Sequence, residues 1–310
     1  MNFNKLKQEL KIGTRGSKLA LLQTRKVVDL LQNLKGISVS VRVINTEGDR
    51  KQDLSLRRSG GTGLFVKEIE RALLKGEIDL AVHSLKDLPV EEAPGLRLAA
   101  YLKRADPREA LVANRLRDLR EAPAGTVIGS SSLRRVFQLQ RLNPGCEFRD
   151  IRGNVDTRVK KMETGQYDGI ILALAGLERL GLEHHAVQVF TPEECLPAPG
   201  QGTIAVQIRE DDFKKPGLFE DISAVLNDQL TEIAVTAERV LLKLLGGGCR
   251  CPVGALGLVS GEKLRLTGMV ADSRGDLILN HSMTGAAKKP EKVAQDLADW
   301  FSGKGIIDWS

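Results

Sequence analysis

Residues 37–43 alternate strictly, with Ile37, Val39, Val41 and Val43 set between Ser38, Ser40 and Arg42. That period of two predicts a half-buried strand. Just upstream the period changes. Over 17–34, Leu19, Leu22, Val27, Leu30, Leu31 and Leu34 fall on one broad face, which predicts a helix that Gly36 ends. Residues 6–14 supply a short first strand, 65–75 a helix closed by Gly76, and 78–82 a buried strand. The same grammar continues with a strand at 126–129, a helix at 132–142 stopped by Asn143-Pro144-Gly145, and a strand at 148–151. A helix at 155–163 follows, then a strand at 167–174 running into a helix at 176–180. Alternation of this kind predicts an α/β fold with helices on largely parallel sheets. Ligands then gather where strands end and helices begin. The last third reads differently. A long helical tract over 218–245 precedes short strands separated by Ser260-Gly261-Glu262 and Asp272-Ser273-Arg274-Gly275, and a final helix follows Pro290. This is the pattern of a small α+β domain. The charged stretch 47–63, closing on Gly60-Gly61-Thr62-Gly63, fits no element and reads equally as a mobile lid or an ordinary surface loop.

Composition narrows the class. At 310 residues the chain is long enough for two to three domains, and 42% hydrophobic with 28% charged residues is ordinary for a globular protein. Aromatics are only 4%, which disfavours base-stacking surfaces. The net charge is +6, but the basic residues are dispersed, so a small anionic substrate explains the excess as well as a nucleic acid would. Four scattered cysteines make no disulfide framework, and no apolar run approaches the roughly 20 residues of a membrane span. With no signal-peptide pattern at the start, the expectation is a cytoplasmic protein with reduced thiols, no membrane and no nucleic acid.

Arginine recurs at the predicted junctions. Thr14-Arg15-Gly16-Ser17, Gly129-Ser130-Ser131-Ser132-Leu133-Arg134-Arg135 and Arg152-Gly153-Asn154-Val155-Asp156-Thr157-Arg158 each stand between a strand and a helix, and Arg179 follows a fourth strand. Free N–H groups at a helix start favour anions, and guanidinium forks suit carboxylates. One such junction is no more than a serine cap with solvated arginines. Four of them, converging in an α/β fold, point to a polyanion site. Phosphate is less favoured, because no Gly-x-x-x-x-Gly-Lys-Ser/Thr or Gly-x-Gly-x-x-Gly loop follows a strand. His83-Ser84-Leu85-Lys86-Asp87-Leu88-Pro89 follows another buried strand. Asp87 beside Lys86 is either a carboxylate for stabilising a cation or moving a proton, or a turn cap before Pro89. His83 lies in the strand pattern and reads as structural rather than as a base.

Cys249 follows Gly246-Gly247-Gly248 and precedes Arg250-Cys251-Pro252. Such a thiol is a buried small hydrophobe, half of a redox or metal pair with Cys251, or a nucleophile that keeps an adduct. No histidine or second cysteine pair lies at ligand spacing, so no metal is expected. Cys146 and Cys195 read as structural.

Taken together, these motifs resemble the porphobilinogen deaminases, also called hydroxymethylbilane synthases. The resemblance rests on 82–89, 129–135, Arg152-Gly153-Asn154-Val155, Leu196-Pro197-Ala198-Pro199-Gly200-Gln201-Gly202 and 238–254, in the family's order over nearly the whole chain. It implies an enzyme that joins four porphobilinogen molecules head to tail, losing ammonia at each step, on a dipyrromethane cofactor held through a thioether. By position that thioether is at Cys249; Cys251 stands where the family usually has a β-branched residue. The resemblance further implies that Ser84, Lys86, Ser132, Arg134 and Arg135 hold the cofactor, and that Arg15, Ser17, Arg152, Arg158 and Arg179 hold substrate or the growing chain. Asp87 would be the catalytic carboxylate. The implied architecture is two periplasmic-binding-protein-like α/β lobes with a cleft between them, 1–104 with 200–222 and 105–199, plus a C-terminal α+β domain at 223–310 carrying the cysteine. The implied protein is a monomer, with 47–63 as its lid. The alternative from another class is a non-catalytic, two-lobed binder of small anions.

Overall fold

The structure is a computed structural model, and it describes residues 8–32, 34, 36–44, 66–214, 217–246 and 252–305. Along the chain come β1 (Gln8–Thr14), α1 (Lys18–Leu31), β2 (Ile37–Val43), α2 (Lys67–Leu74), β3 (Leu80–Ser84), β4 (Leu96–Tyr101) and β5 (Glu109–Ala113). Next are β6 (Val127–Gly129), α3 (Leu133–Gln140), β7 (Glu147–Arg149), α4 (Val155–Glu163), β8 (Gly169–Ala173), α5 (Leu174–Leu180) and β9 (Ala186–Val189). The chain ends with β10 (Ile204–Arg209), α6 (Glu210–Phe213), α7 (Leu218–Leu226), α8 (Gln229–Leu244), β11 (Val253–Ser260), β12 (Lys263–Ala271), β13 (Ile278–Ala286) and α9 (Pro290–Ser302). This is the expected α/β fold, with two sheet-bearing lobes and a smaller three-stranded sheet.

Two compact units divide these elements. One takes the described residues up to Arg104 together with Thr203–Gln229; the other takes Ala105–Gly202 and Leu230 onward. The first unit holds a sheet of order β2-β1-β3-β10-β4. Period two decides what each face meets. Leu80 and Val82 of β3 and Ile204, Val206 and Ile208 of β10 join Val27 and Leu31 of α1 and Ile222 of α7 in one core. Ala81 points the other way, into a second core with Ile69 and Leu73 of α2. The second unit repeats the plan in the order β7-β6-β8-β5-β9. Leu111 of β5 packs with Ile128 and with Leu139 of α3 on one face; Ala110 and Val112 pack with Val159 of α4 and Leu177 of α5 on the other. The sheet β11-β12-β13 packs against α8 and α9 through Leu241, Ala255, Leu266, Leu297 and Phe301.

Two expectations need correction. The sheets are mixed rather than largely parallel: β10 runs antiparallel to β3 and β4, and β5 runs antiparallel to β8 and β9. No helix precedes either β5 or β10 as a crossover, so nothing in the connection requires a parallel entry. The helical tract over 218–245 is also two helices. Asn227 leaves helical geometry, its side chain accepts from the Tyr101 N–H (2.9 Å), and the Asp228 N–H donates to the Tyr101 carbonyl (2.8 Å). Pairing with the end of β4 satisfies these groups better than another helical turn would.

Candidate active site

In the first unit, β1 and β3 are parallel neighbours, so the segments that follow them leave the same edge of the sheet. After β1, the Ser17 Oγ accepts from the Ala20 N–H (3.2 Å) and caps α1. This hydroxyl is thus committed to the helix, and Arg15 beside it is half-buried. Gln23, buried on α1, donates to Ser84 Oγ (2.8 Å) and ties the helix to the end of β3. Beyond Ser84 the chain makes one tight turn over Leu85–Asp87. Leu85 and Leu88 are buried and fasten it, and the Leu85 N–H donates to the Thr203 carbonyl (3.0 Å). Lys86 and Asp87, between these two anchors, are exposed. The sequence of the turn therefore presents one ammonium and one carboxylate side by side at the sheet edge.

His83 points away from this edge, toward α2. Its Nε2 meets Gln207 Oε1 at 3.2 Å, and Gln207 Nε2 donates to Glu70 (3.1 Å). Burial, opposed by the Gln207 bond and aided by the charge of Arg15, pulls the ring's pKa down to about 4. His83 is neutral and structural, as expected from its place in the strand.

In the second unit, β7, β6 and β8 are parallel, so three junctions share one edge. Ser131 stitches two of them together: its Oγ donates to the Ile151 carbonyl (2.8 Å) and accepts from the Ile151 N–H (3.0 Å). Ser132 occupies the cap position of α3, yet its hydroxyl makes no capping bond, in contrast to Ser17. Gly153 adopts φ +112°, and a Cβ there would lie 2.8 Å from Thr157, so the Arg152-Gly153-Asn154 turn requires glycine. Arg158 Nε donates to the Gly153 carbonyl (2.8 Å) and braces the turn from within α4. Arg179 on α5 is half-buried, donates to the Gly202 carbonyl (2.5 Å), and has its pKa lowered by desolvation.

Arg134 and Arg135 are not the solvated forks that a helix start suggests. Both are buried, on either side of Glu109 of β5. Arg134 Nη1 also donates to the Leu196 carbonyl (2.6 Å), and Arg135 Nη1 to the Ile171 carbonyl (3.0 Å). Arg135 Nε, also buried, has no hydrogen-bond partner among the described residues. Glu109, Gln23 and Gln138 escaped the reading of the sequence. Gln138 matters because its amide both donates to the Leu196 carbonyl (3.2 Å) and accepts from the Leu196 N–H (2.8 Å). Only Glu109 left a trace in the sequence, as the one charge opening the apolar run Ala110-Leu111-Val112-Ala113.

Cys195 is fully buried beside Arg134, and its thiol is pushed up to about 12, chiefly by desolvation; burial also raises Cys146. Neither supplies thiolate at neutral pH. Among the described residues no group of three His, Cys, Asp or Glu side chains could hold a metal. No described helix is long and apolar enough to cross a membrane. Cys249, Cys251 and the stretch 47–63 lie outside the described residues.

Residues 10–215 match the family described as porphobilinogen deaminase, dipyromethane cofactor binding domain, and residues 232–302 match the porphobilinogen deaminase C-terminal domain. A porphobilinogen deaminase of Roseiflexus sp. (strain RS-1) is 47% identical over 97% of this chain and 98% of its own length. The porphobilinogen deaminase of Bacillus subtilis (strain 168) is 42% identical over 96% of this chain and 94% of its own. Among solved structures, the methionine-binding protein MetQ aligns with a TM-score of 0.46 over 70% of this chain and 89% of its own, at 12% identity. Arginine-bearing junctions, the Lys86–Asp87 turn and two family matches running almost end to end lead to one conclusion: this chain belongs to the porphobilinogen deaminase family.

Proposed function

We propose that this protein joins four porphobilinogen molecules head to tail, releasing one ammonia per condensation, to give hydroxymethylbilane for tetrapyrrole synthesis. The observation that carries this reading is the match of both family domains over 10–215 and 232–302. The site chemistry supports it. Each pyrrole unit bears an acetate and a propionate, so the bound chain is a growing polyanion. Arginines at four strand-to-helix junctions suit such a chain, and charge-assisted hydrogen bonds of about 1.5–3 kcal/mol each are strong enough to position it.

The residues also fit a resident dipyrromethane. Arg134 and Arg135 carry two positive charges against the one negative charge of Glu109, and Arg135 Nε keeps an unused buried donor. A buried excess of positive charge is costly until an anion meets it. We assign Arg134, Arg135, Ser132, Lys86 and Ser84 to the cofactor's acid arms, and Cys249 to its thioether. When bound, the group supplies the primer end to which the first substrate unit is joined. Arg15, Arg152, Arg158 and Arg179 grip substrate or the elongated chain. Ser17 belongs with them through its backbone, since its hydroxyl caps α1. Asp87, exposed on its turn, contacts the pyrrole N–H of the arriving unit, assists departure of ammonia, and stabilises the cation that remains. The C-terminal α+β part, from α8 onward, is read as the domain that brings Cys249 to the arginines, in a monomeric cytoplasmic enzyme.

The test is stoichiometric. The purified protein given porphobilinogen should release four ammonia molecules per hydroxymethylbilane formed. An anion binder without chemistry would bind porphobilinogen and release none, and that result would reject the reading.

A further inference from the structure

Arg134 and Arg135 are adjacent in sequence and both buried, and two like charges that close repel strongly away from water. Glu109 explains why they stay together. β5 runs antiparallel to β8, so its first residue, Glu109, lies opposite Ala173 at the carboxyl end of β8. Period two then aims Glu109 to the same side as Leu111, which packs with α3. Its side chain is fully buried. Oε1 lies 2.5 Å from Arg134 Nη2, and Oε2 lies 2.8 Å from Arg135 Nη2. One carboxylate thus spans two guanidinium groups. The Leu196 and Ile171 carbonyls accept from the other ends of those groups. The Oε2 contact with Arg135 is an ion pair rather than a hydrogen bond, because Oε2 has no hydrogen-bond partner among the described residues. One positive charge and the Nε–H of Arg135 are left over.

We propose that Glu109 is a positioning residue for the condensation: it locks both guanidinium planes and cancels one of their charges, so that the pair accepts a single carboxylate of the bound pyrrole chain. The inference rests on the reading above, in which these arginines face the cofactor's acid arms. It gives Glu109 no contact with the reacting atoms. Its removal therefore acts on how the bound chain is held rather than on capture of substrate.

The experiment has two arms. In the full-length wild-type protein with 15N-labelled arginine, the guanidinium groups of residues 134 and 135, assigned with Arg134→Lys and Arg135→Lys, should show separate Nη signals. Separate signals mean hindered rotation. The Nε–H of Arg135 should shift between the apoprotein and the pyrrole-bearing form. Averaged Nη signals for both residues would overturn the proposal. In the second arm, Glu109→Gln and Glu109→Asp are compared per holoenzyme counted by mass. We expect Glu109→Gln to lower kcat by about tenfold or more with KM within about threefold, since a small misplacement far from the chemistry acts mainly on turnover. Glu109→Asp, which keeps the charge on a shorter arm, should recover part of kcat. A purely structural Glu109 would lower the melting temperature and leave kcat per holoenzyme unchanged, which would also overturn the proposal. Should Glu109→Gln fail to fold, the wild-type guanidinium signals and the kcat of Glu109→Asp decide. A wild-type protein carrying no pyrrole mass would instead sink the parent reading, with the guanidinium result standing apart from it.

Discussion

Asp87 owes its exposure to two leucines. Leu85 and Leu88 bury themselves on either side of it, so the turn cannot fold the carboxylate inward, and Lys86 keeps a positive charge next to it. Asp87→Asn keeps the shape of the side chain and removes its charge. It should fold, carry the same pyrrole mass as the wild type, and lose turnover by about a hundredfold or more, as expected when a group facing developing charge is neutralised. Steady-state assay beside intact mass checks this, and near-normal turnover would reject the role. His83 makes a different prediction. Its ring titrates at about 4 when folded against an ordinary value of 6.5. The unfolded chain therefore takes up this proton first as the pH falls. Stability from this residue is complete above the ordinary value, drains away between there and about pH 4, and then levels off. The loss is about 3 kcal/mol. Denaturant unfolding from pH 7 to pH 4 should show a shallower decline in His83→Gln than in the wild type, and equal slopes would contradict this account. At this scale the place of the arginines at strand-to-helix junctions was legible, because local period marks where strands end and helices begin. Glu109 was not, since a single acid at the head of an apolar strand acquires its role only when β5 is laid against β8.

The elements explain why some of the fold read easily. Strands β1, β2 and β3 and helices α1 and α4 follow from local period, because each is amphipathic or bounded by its own glycine or turn. Strands β4, β5, β9 and β10 lie in stretches where no helix alternates with them, and their partners are distant in sequence. Only pairing shows that β5 and β10 enter antiparallel. The break between α7 and α8 escaped for a related reason. The helical period runs through Asn227, and the competing bonds come from Tyr101, far away along the chain. A close approach in the C-terminal sheet gives an element-scale prediction. A Cβ on Gly257 of β11 would lie 2.9 Å from the carbonyl oxygen of Ala234 and 3.0 Å from its Cα, both backbone atoms of α8. Glu238 of the same helix accepts from the Gly257 N–H (2.8 Å) and the Gly200 N–H (2.7 Å), so the helix has little room to retreat. Gly257→Ala should cost about 1–3 kcal/mol, measured as a shift in denaturant midpoint at constant slope. A variant as stable as the wild type would show that α8 moves aside freely.

For the whole molecule, the excess of six positive charges suits the proposed pyrrole chain, which gains two carboxylates with each added unit. Two sheets of like strand order carry guanidinium groups past the carboxyl ends of parallel strands, Arg15 after β1 in one and Arg134, Arg135 and Arg152 after β6 and β7 in the other. The central claim is that a pyrrole primer, fixed to sulfur at position 249, is what those arginines serve. Intact mass of the freshly purified protein, before and after acid denaturation, tests it most directly. The mass should exceed that of the polypeptide by two pyrrole units, unchanged by denaturation, with the excess lost in Cys249→Ser and kept in Cys251→Ser. An active protein at its bare calculated mass, or an adduct that survives in Cys249→Ser and disappears in Cys251→Ser, would contradict it.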